Sequence, residues 1–405
     1  MNDSRTPEPE YESEPELQSE PAWAAVVSMG LGVFGLVGAE FLPASVLTPM
    51  ARDLGITEGM AGQAVTATAV TAVLSSLLIA VLTRRLDRRI VLMGFSILLI
   101  ISNLVVALSP NLPLLLAGRV LLGVALGGFW ALSTATVMRL VPEHHVPRAL
   151  AMVVSGVSAA TIFAAPLGSY FGDLWGWRSV FLVAAVLGLV TVIVQFASLP
   201  AMPSRSLSRF GTLGELLSRR HIAIALVAAL LVFGGHMAMF TYVRPFLESV
   251  TNTDVTGISI MLFAFGIASF LGNYLGGWLL QHSMRLTLAA TPLVIGALAF
   301  MLVGYGGHVE TDAAIIALWG LAFGTIPVGW SAWIARAVPD EAETAGGLLV
   351  AAINLAITTG AAVGGLIVDA TGVGTVFMLS GVVLCLASMT VFAGVRTKFA
   401  VRAAV

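Results

Sequence analysis

Twelve apolar runs of 19–27 residues, joined by short polar connections, constrain this chain of 405 residues more than any other feature. They lie near 23–48, 59–83, 90–109, 112–138, 147–171, 177–199, 221–243, 257–280, 286–304, 312–335, 344–368 and 373–395. A helix needs about 20 apolar residues to cross the hydrocarbon of a bilayer, and the runs are of that length. They are apolar all round and too long for barrel strands, which alternate over about ten residues. Charge supports the same class. Only 10% of the residues are charged, against roughly 25% in an ordinary soluble domain. So few charges cannot cover a soluble surface, which excludes a soluble enzyme, a nucleic-acid binder and a disordered chain. The expected fold is all-α and integral to the membrane, with 12 transmembrane helices.

Arginine placement gives an orientation. Connections after even-numbered runs and the C-terminal tail hold 15 Lys and Arg, including Arg84, Arg85, Arg88, Arg89, Arg139, Arg219 and Arg285. The opposite connections hold three: Arg52, Arg178 and Arg244. By the positive-inside rule both termini are expected in the cytoplasm, which an even span count requires. Residues 1–22 hold seven acids and four prolines and read as a disordered tail. They are the wrong start for a signal peptide.

The chain also repeats itself. Ala165, Gly168, Asp173, Gly176, Val180 and Phe181 recur 196 residues later as Ala361, Gly364, Asp369, Gly372, Val376 and Phe377. Gly123, Gly127, Arg139, Val141 and Pro142 recur 197 residues later as Gly320, Gly324, Arg336, Val338 and Pro339. A six-helix unit has been duplicated. This divides the chain into bundles at 23–199 and 221–396, a cytoplasmic linker at 200–220 and a tail at 397–405. Six is even, so the halves share one topology. Transporters built this way hold substrate between the halves near the bilayer midplane.

Few residues inside the runs can do chemistry. Glu40 and Arg119 are the ionisable groups well inside spans, and each is functional by default because charge in hydrocarbon is costly. Their depths allow a pair, direct or through water. Burial and a neighbouring guanidinium pull a carboxylate's charge in opposite directions, which suits proton exchange. A static ion pair that fixes packing is the plainer alternative. His236 follows Gly234-Gly235 and could titrate, bind substrate or simply pack. Arg119, Gly123, Gly127, Trp130 and Thr134 form one helical stripe of kinds that lipid does not favour. Trp319, Phe323, Trp330 and Trp333 form an aromatic stripe, which lipid-facing or interhelical packing explains better. Asn273 and Asn354 could bond helix to helix or reach a ligand. With Phe240 and Tyr242, the residues Trp130, Thr134, Asn273, Trp330 and Asn354 are the candidates for a substrate cavity. Gly30-Leu31-Gly32-Val33-Phe34-Gly35 fits a dinucleotide fingerprint, but no strand precedes it, and small residues for helix packing explain it better. Glu143-His144-His145 reads as solvated surface. One cysteine, Cys385, cannot form an internal disulfide or a thiolate cluster. No metal and no cofactor is expected.

Arg119-x-x-x-Gly123-x-x-x-Gly127 resembles the R-x-x-x-G-x-x-x-G signature of major facilitator superfamily transporters. Arg84-Arg85-Leu86-Asp87-Arg88-Arg89 is similar to their basic gating loop, with Asp87 where that motif has Gly and Arg84 where it has Asp. Ala165-Pro166-Leu167-Gly168 resembles their Gly-Pro antiporter motif, with Ala165 replacing Gly, and makes Pro166 and Gly168 packing residues. Glu40-Phe-Leu-Pro43, Leu47-Thr-Pro-Met50, Asp53-Leu-Gly-Ile56 and Gly127-Gly-Phe-Trp-Ala131 resemble bacterial purine ribonucleoside efflux permeases, in the drug:proton antiporter branch. The resemblance implies proton-driven export of inosine, guanosine and related nucleosides across a bacterial inner membrane, by a functional monomer whose partners are substrate, protons and lipid. Glu40, Arg119 and His236 are the expected proton-coupling residues. Composition and spacing alone give only a transporter. Drug or sugar export, a passive channel and a membrane-embedded enzyme are the rival readings.

Overall fold

A computed structural model describes residues 21–203, 219–337 and 342–395. The tails at 1–20 and 396–405 and most of the expected linker lie outside the described residues. Within them the chain is helical, with no strand. The first half comprises α1 (Trp23–Ser45), α2 (Leu47–Leu54), α3 (Glu58–Leu82), α4 (Arg88–Ala107), α5 (Leu112–Leu140), α6 (Val146–Trp175) and α7 (Trp177–Ser198). The second comprises α8 (Arg220–Thr241), α9 (Val243–Ser249), α10 (Val255–His282), α11 (Met284–Tyr305), α12 (Val309–Ala337), α13 (Ala342–Thr371) and α14 (Val373–Gly394). All but α2 and α9 are long and apolar enough to cross a membrane, giving twelve candidate spans.

The two short helices are the main departure from the runs expected at 23–48 and 221–243. Val46 breaks the first span (φ −118°, ψ 19°) and Tyr242 breaks its counterpart (φ −108°, ψ 19°). The cause is visible in sequence. Pro49 and Pro245 lie 196 residues apart. Each lacks an N–H, and its ring crowds the carbonyl four residues earlier, so neither helix continues unbroken.

The packing repeats with the same register. A Cβ added to Gly123 would meet the Thr68 carbonyl oxygen at 2.3 Å, and one added to Gly320 would meet that of Phe265 at the same distance. Gly127 lies as close to Ala72, and Gly324 to Ser269. Only glycine lets α5 approach α3, and α12 approach α10, at these points. Gly176 (φ 81°) and Gly372 (φ 91°) adopt the positive φ that turns α6 into α7 and α13 into α14. Arg89 lies over the Phe196 ring and bonds its carbonyl, and Arg285 does the same with Phe392. Both pairs obey the 196-residue offset.

Each half has its own apolar core. Val33, Leu99, Leu122 and Phe129 belong to the first, and Phe233, Phe265, Trp319 and Trp333 to the second. Outward faces are also apolar. On α7, Val186, Ile193 and Phe196 are each about 60% exposed, a surface that lipid covers at no hydrophobic cost. Both described ends, and Arg84, Arg85, Arg285 and Arg336, lie on one face, here called the arginine-rich face. The other is the far face.

Candidate functional site

The site forms where the halves meet. Glu40, Phe41 and Ala44 of α1 and Val65 of α3 face Met237, Phe240 and Thr241 of α8 and Ile357 of α13 across a narrow pocket. In this conformation it has room for about one water. Phe41 and Phe240 meet edge to face, with centroids 5.5 Å apart. The duplication accounts for half of the lining, because Phe41 and Met237, and Ala44 and Phe240, are pairs at the 196-residue offset. The pocket therefore lies beside the pseudo-symmetry axis.

Arg119 stands behind Glu40 and is fully buried. Its guanidinium donates from Nη1 to the Ala39 carbonyl (2.8 Å), from Nε to that of Ala64 (3.1 Å) and from Nη2 to that of Glu40 (3.3 Å). Arg119 thus ties α5 to α1 and α3 through backbone oxygens. The Glu40 carboxylate itself has no hydrogen-bond or ion-pair partner among the described residues and faces the pocket. The two charges sit side by side, but the direct carboxylate–guanidinium bridge that their depths allowed does not form. A guanidinium with its donors engaged by carbonyls still places a positive charge beside the carboxylate.

His236 occupies in α8 the place of Glu40 in α1, yet its surroundings differ. The indole of Trp319 donates to its Nδ1 at 3.1 Å. An indole N–H only donates, so this bond requires an unprotonated Nδ1. Phe323 stacks on the imidazole at 3.5 Å between centroids, and Phe240 and Phe265 complete a cage. His236 is buried in the second half's core and does not line the pocket.

The other candidates are dispersed. Phe240 is on the pocket. Trp330 is buried beside Thr287, Thr291 and Thr325 inside the second half. Asn354 is buried, donates to the Val350 carbonyl and leaves its Oδ1 unpartnered. Asn273 and Trp130 are half-buried, and Thr134 is exposed towards the arginine-rich end of α5. Arg84 and Arg85 are exposed on the basic loop. Asp87 caps α4 by accepting from the Arg89 amide, and also accepts from the Met202 amide, while Arg88 donates to Thr83. Pro166 lies within α6. A Cβ on Gly168 would fall 2.4 Å from the Ser45 hydroxyl.

Contacts joining the halves, by packing as well as by hydrogen bonds, cluster at the far face. Asp369 accepts from the Thr57 hydroxyl (2.7 Å) and the Gly59 amide (3.0 Å), capping the start of α3 across the interface. Tyr242 donates to the Ala361 carbonyl, and its ring end fills the space beside Gly62 and Gly365. Arg244 pairs with Glu248 and reaches over to the Ser45 carbonyl (2.6 Å). That carbonyl is the one Pro49 cannot serve. Sequence reasoning placed Arg244 in a connection and missed this role. The proline pair at 49 and 245 was the available signal.

Comparison with known proteins agrees with this architecture. The family model of the Major Facilitator Superfamily matches residues 29–348 and 245–402. The purine ribonucleoside efflux pumps NepI of Salmonella paratyphi C and Salmonella typhi are each 45% identical over 376 residues, covering 93% of this chain and 95% of theirs. A bacterial homologue of the human lysosomal transporter Spinster, crystallised inward-facing and unoccupied, superposes with a TM-score of 0.77 at 13% identity. That match covers 93% of this chain and 97% of the other, and at this identity it speaks to fold alone.

Proposed function

The chain belongs to the Major Facilitator Superfamily and is a multi-pass membrane transporter, and we propose that it exports purine ribonucleosides in exchange for protons. One observation carries the reading: Glu40 presents an unpartnered carboxylate to a pocket lined from both halves, with the Arg119 charge behind it. Similarity to the purine ribonucleoside efflux pumps supports the substrate class.

In this reading the arginine-rich face is cytoplasmic and the membrane is a bacterial inner membrane. The contacts of Asp369, Tyr242 and Arg244 hold the outer side shut. Substrate enters from the cytoplasm and displaces a proton from Glu40. The halves then rock, the outer contacts part, and a proton from outside replaces the substrate. Arg119 holds the Glu40 backbone in place and keeps a positive charge beside its carboxylate. His236 has no part in proton transfer here, since its Nδ1 is committed to Trp319. A single chain contains both faces of the pocket and suffices as the working unit.

Purified protein in liposomes tests this. Radiolabelled inosine should move against its gradient when a pH gradient is imposed, and the movement should stop when the gradient is collapsed. Uptake that ignores the pH gradient would refute coupling. Pumping of a drug or sugar with no movement of inosine would refute the substrate class.

A further inference from the structure

Glu40 lines the pocket together with two aromatic rings that meet edge to face, Phe41 from one half and Phe240 from the other. Because the rings belong to different halves, relative motion of the halves sets the gap between them. A flat base can stack there when the gap opens, since aromatic faces favour offset stacking. The rest of the lining, Ala44, Val65, Met237 and Ile357, offers no hydrogen bond, and Thr241 offers a hydroxyl. The carboxylate is therefore the strongest polar group available to the edge of a base.

Resting on the purine reading above, we propose that Glu40 is the specificity-determining residue for the base, and that its ionised carboxylate selects 6-oxopurine ribonucleosides by accepting their N1–H. An ionised carboxylate only accepts hydrogen bonds. Guanosine presents N1–H and an exocyclic amine side by side, so the two carboxylate oxygens find two donors. Inosine presents N1–H alone. Adenosine presents a bare N1 lone pair beside its amine, so one bond forms against one repulsion. The order of affinity is guanosine, then inosine, then adenosine. A missing donor at a buried polar site costs more than a missing methylene at an apolar one.

The charged groups around Glu40 leave this arrangement intact. From α5, Arg119 adds positive charge. From α8, His236 is held unprotonated at Nδ1 by Trp319. From α3, Glu58 accepts from Thr48 nearer the far face, and Arg244 and Glu248 of α9 pair with each other. Protonating Glu40 turns one acceptor oxygen into a donor and weakens the hold on a 6-oxopurine. Proton uptake and substrate release then share one group.

Competition against radiolabelled guanosine on the purified full-length protein tests the idea, using inosine, adenosine and 1-methylinosine as competitors. Inosine should compete at least about tenfold better than adenosine, one hydrogen bond to a charged group being worth that or more. 1-Methylinosine, whose N1 cannot donate, should compete no better than adenosine. This arm needs no variant and is immune to folding defects. In Glu40→Gln the amide both donates and accepts, as adenine's edge requires, and the preference for inosine over adenosine should fall to within about twofold. If 1-methylinosine matches inosine, or Glu40→Gln keeps the preference, the inference is overturned while the purine reading stands. If guanosine does not bind at all, the purine reading itself falls.

Discussion

Glu40 and His236 stand at equivalent places in the two halves, 196 residues apart, and the structure treats them in opposite ways. Glu40 faces the pocket with its carboxylate unpartnered. His236 is enclosed by Phe240, Phe265, Trp319 and Phe323, with one ring nitrogen already bonded. The features around them do not diverge in this way. The helix breaks at Val46 and Tyr242 and the Arg–Phe stacks repeat at 196 residues, and the glycine approaches repeat at 197. Alternating access needs two similar bodies that can rock on one another, so backbone geometry stays matched. The proposed proton exchange needs one titrating group at one place. A second carboxylate at 236 would put two like charges beside one pocket, each opposing the other's ionisation.

The comparison breaks most directly by neutralising each member in turn. Glu40→Gln should lower pH-gradient-driven efflux at least about 100-fold, the low end of what a positioned acid–base group contributes. Substrate exchange without net proton movement should survive. His236→Gln should stay within about threefold of the parent, because the Gln carbonyl can still accept the Trp319 indole and spare an unsatisfied donor. Flux in liposomes with and without an imposed gradient measures both. Equal losses in the two variants would mean that coupling is shared.

Arg119 sharpens the contrast, because the register places Ile316 at its position in the second half. Its planar fork reaches carbonyls on both α1 and α3. Arg119→Lys keeps the charge and loses the fork, so a compact ammonium can meet fewer of the three carbonyls. Gradient-driven efflux should fall about tenfold, the equivalent of one lost charge-assisted bond. Purification yield and thermal stability, measured alongside, should show the protein still folded. Unchanged flux would reduce Arg119 to a passive neighbour.

The scaffold was more legible than the site. Long apolar runs dictate membrane helices, and the spacing of Gly123, Gly127, Gly320 and Gly324 marks the close crossings, because both signals are local in sequence. Breaks at Val46 and Tyr242 escaped notice, since a proline acts on a carbonyl four residues earlier and apolar composition runs on through it. Glu40 was identifiable as a lone carboxylate in a span. Which aromatics face it was not, because that depends on helix rotation within a bundle. Trp330 and Phe240 look alike in sequence, yet one is sealed inside its half and the other is on the pocket. Extending the offset from Phe41 to Met237 and from Ala44 to Phe240 would have found four lining residues.

A second asymmetry lies at the far face. Asp369 caps α3 across the interface through Thr57 and Gly59. Its counterpart Asp173 would have to cap α10, but α10 is already capped by its own Asp254, which accepts from Gly257. Only one side of the far gate is fastened by an aspartate. Asp369→Ala should move the resting population towards the conformation open at the far face by about tenfold, the worth of one charge-assisted bond. Asp173→Ala should leave it unchanged. An Ala44→Cys reporter, labelled by an impermeant maleimide in a Cys385→Ser background, would follow both. Equal effects would restore the symmetry.

The smallest effect concerns an ion pair that only the first half has. Arg178 and Trp177 both donate to Asp53, and the Arg178 guanidinium also lies over the Trp177 ring. At the 196-residue offset the second half has Ser249 and Gly374, which cannot form such a pair. The Arg178 hydrogen bond first, and the Trp177 bond second, hold the Asp53 carboxyl below the ordinary aspartate range. A lowered carboxylate adds stability above its unfolded value, about 3.9, and loses it as pH falls through the folded value. Both side chains are well exposed (46% and 38%), so solvent screens the pair and its worth stays below about 1 kcal/mol. Asp53→Asn should therefore lower the thermal midpoint slightly at pH 7 and by less near pH 3, below the unfolded value, where part of the pair's contribution is already lost. Thermal unfolding of the purified protein at the two pH values measures the difference. An equal shift at both would assign the effect to packing of Trp177 rather than to charge, and the halves would then differ less at this face than their ion pairs suggest.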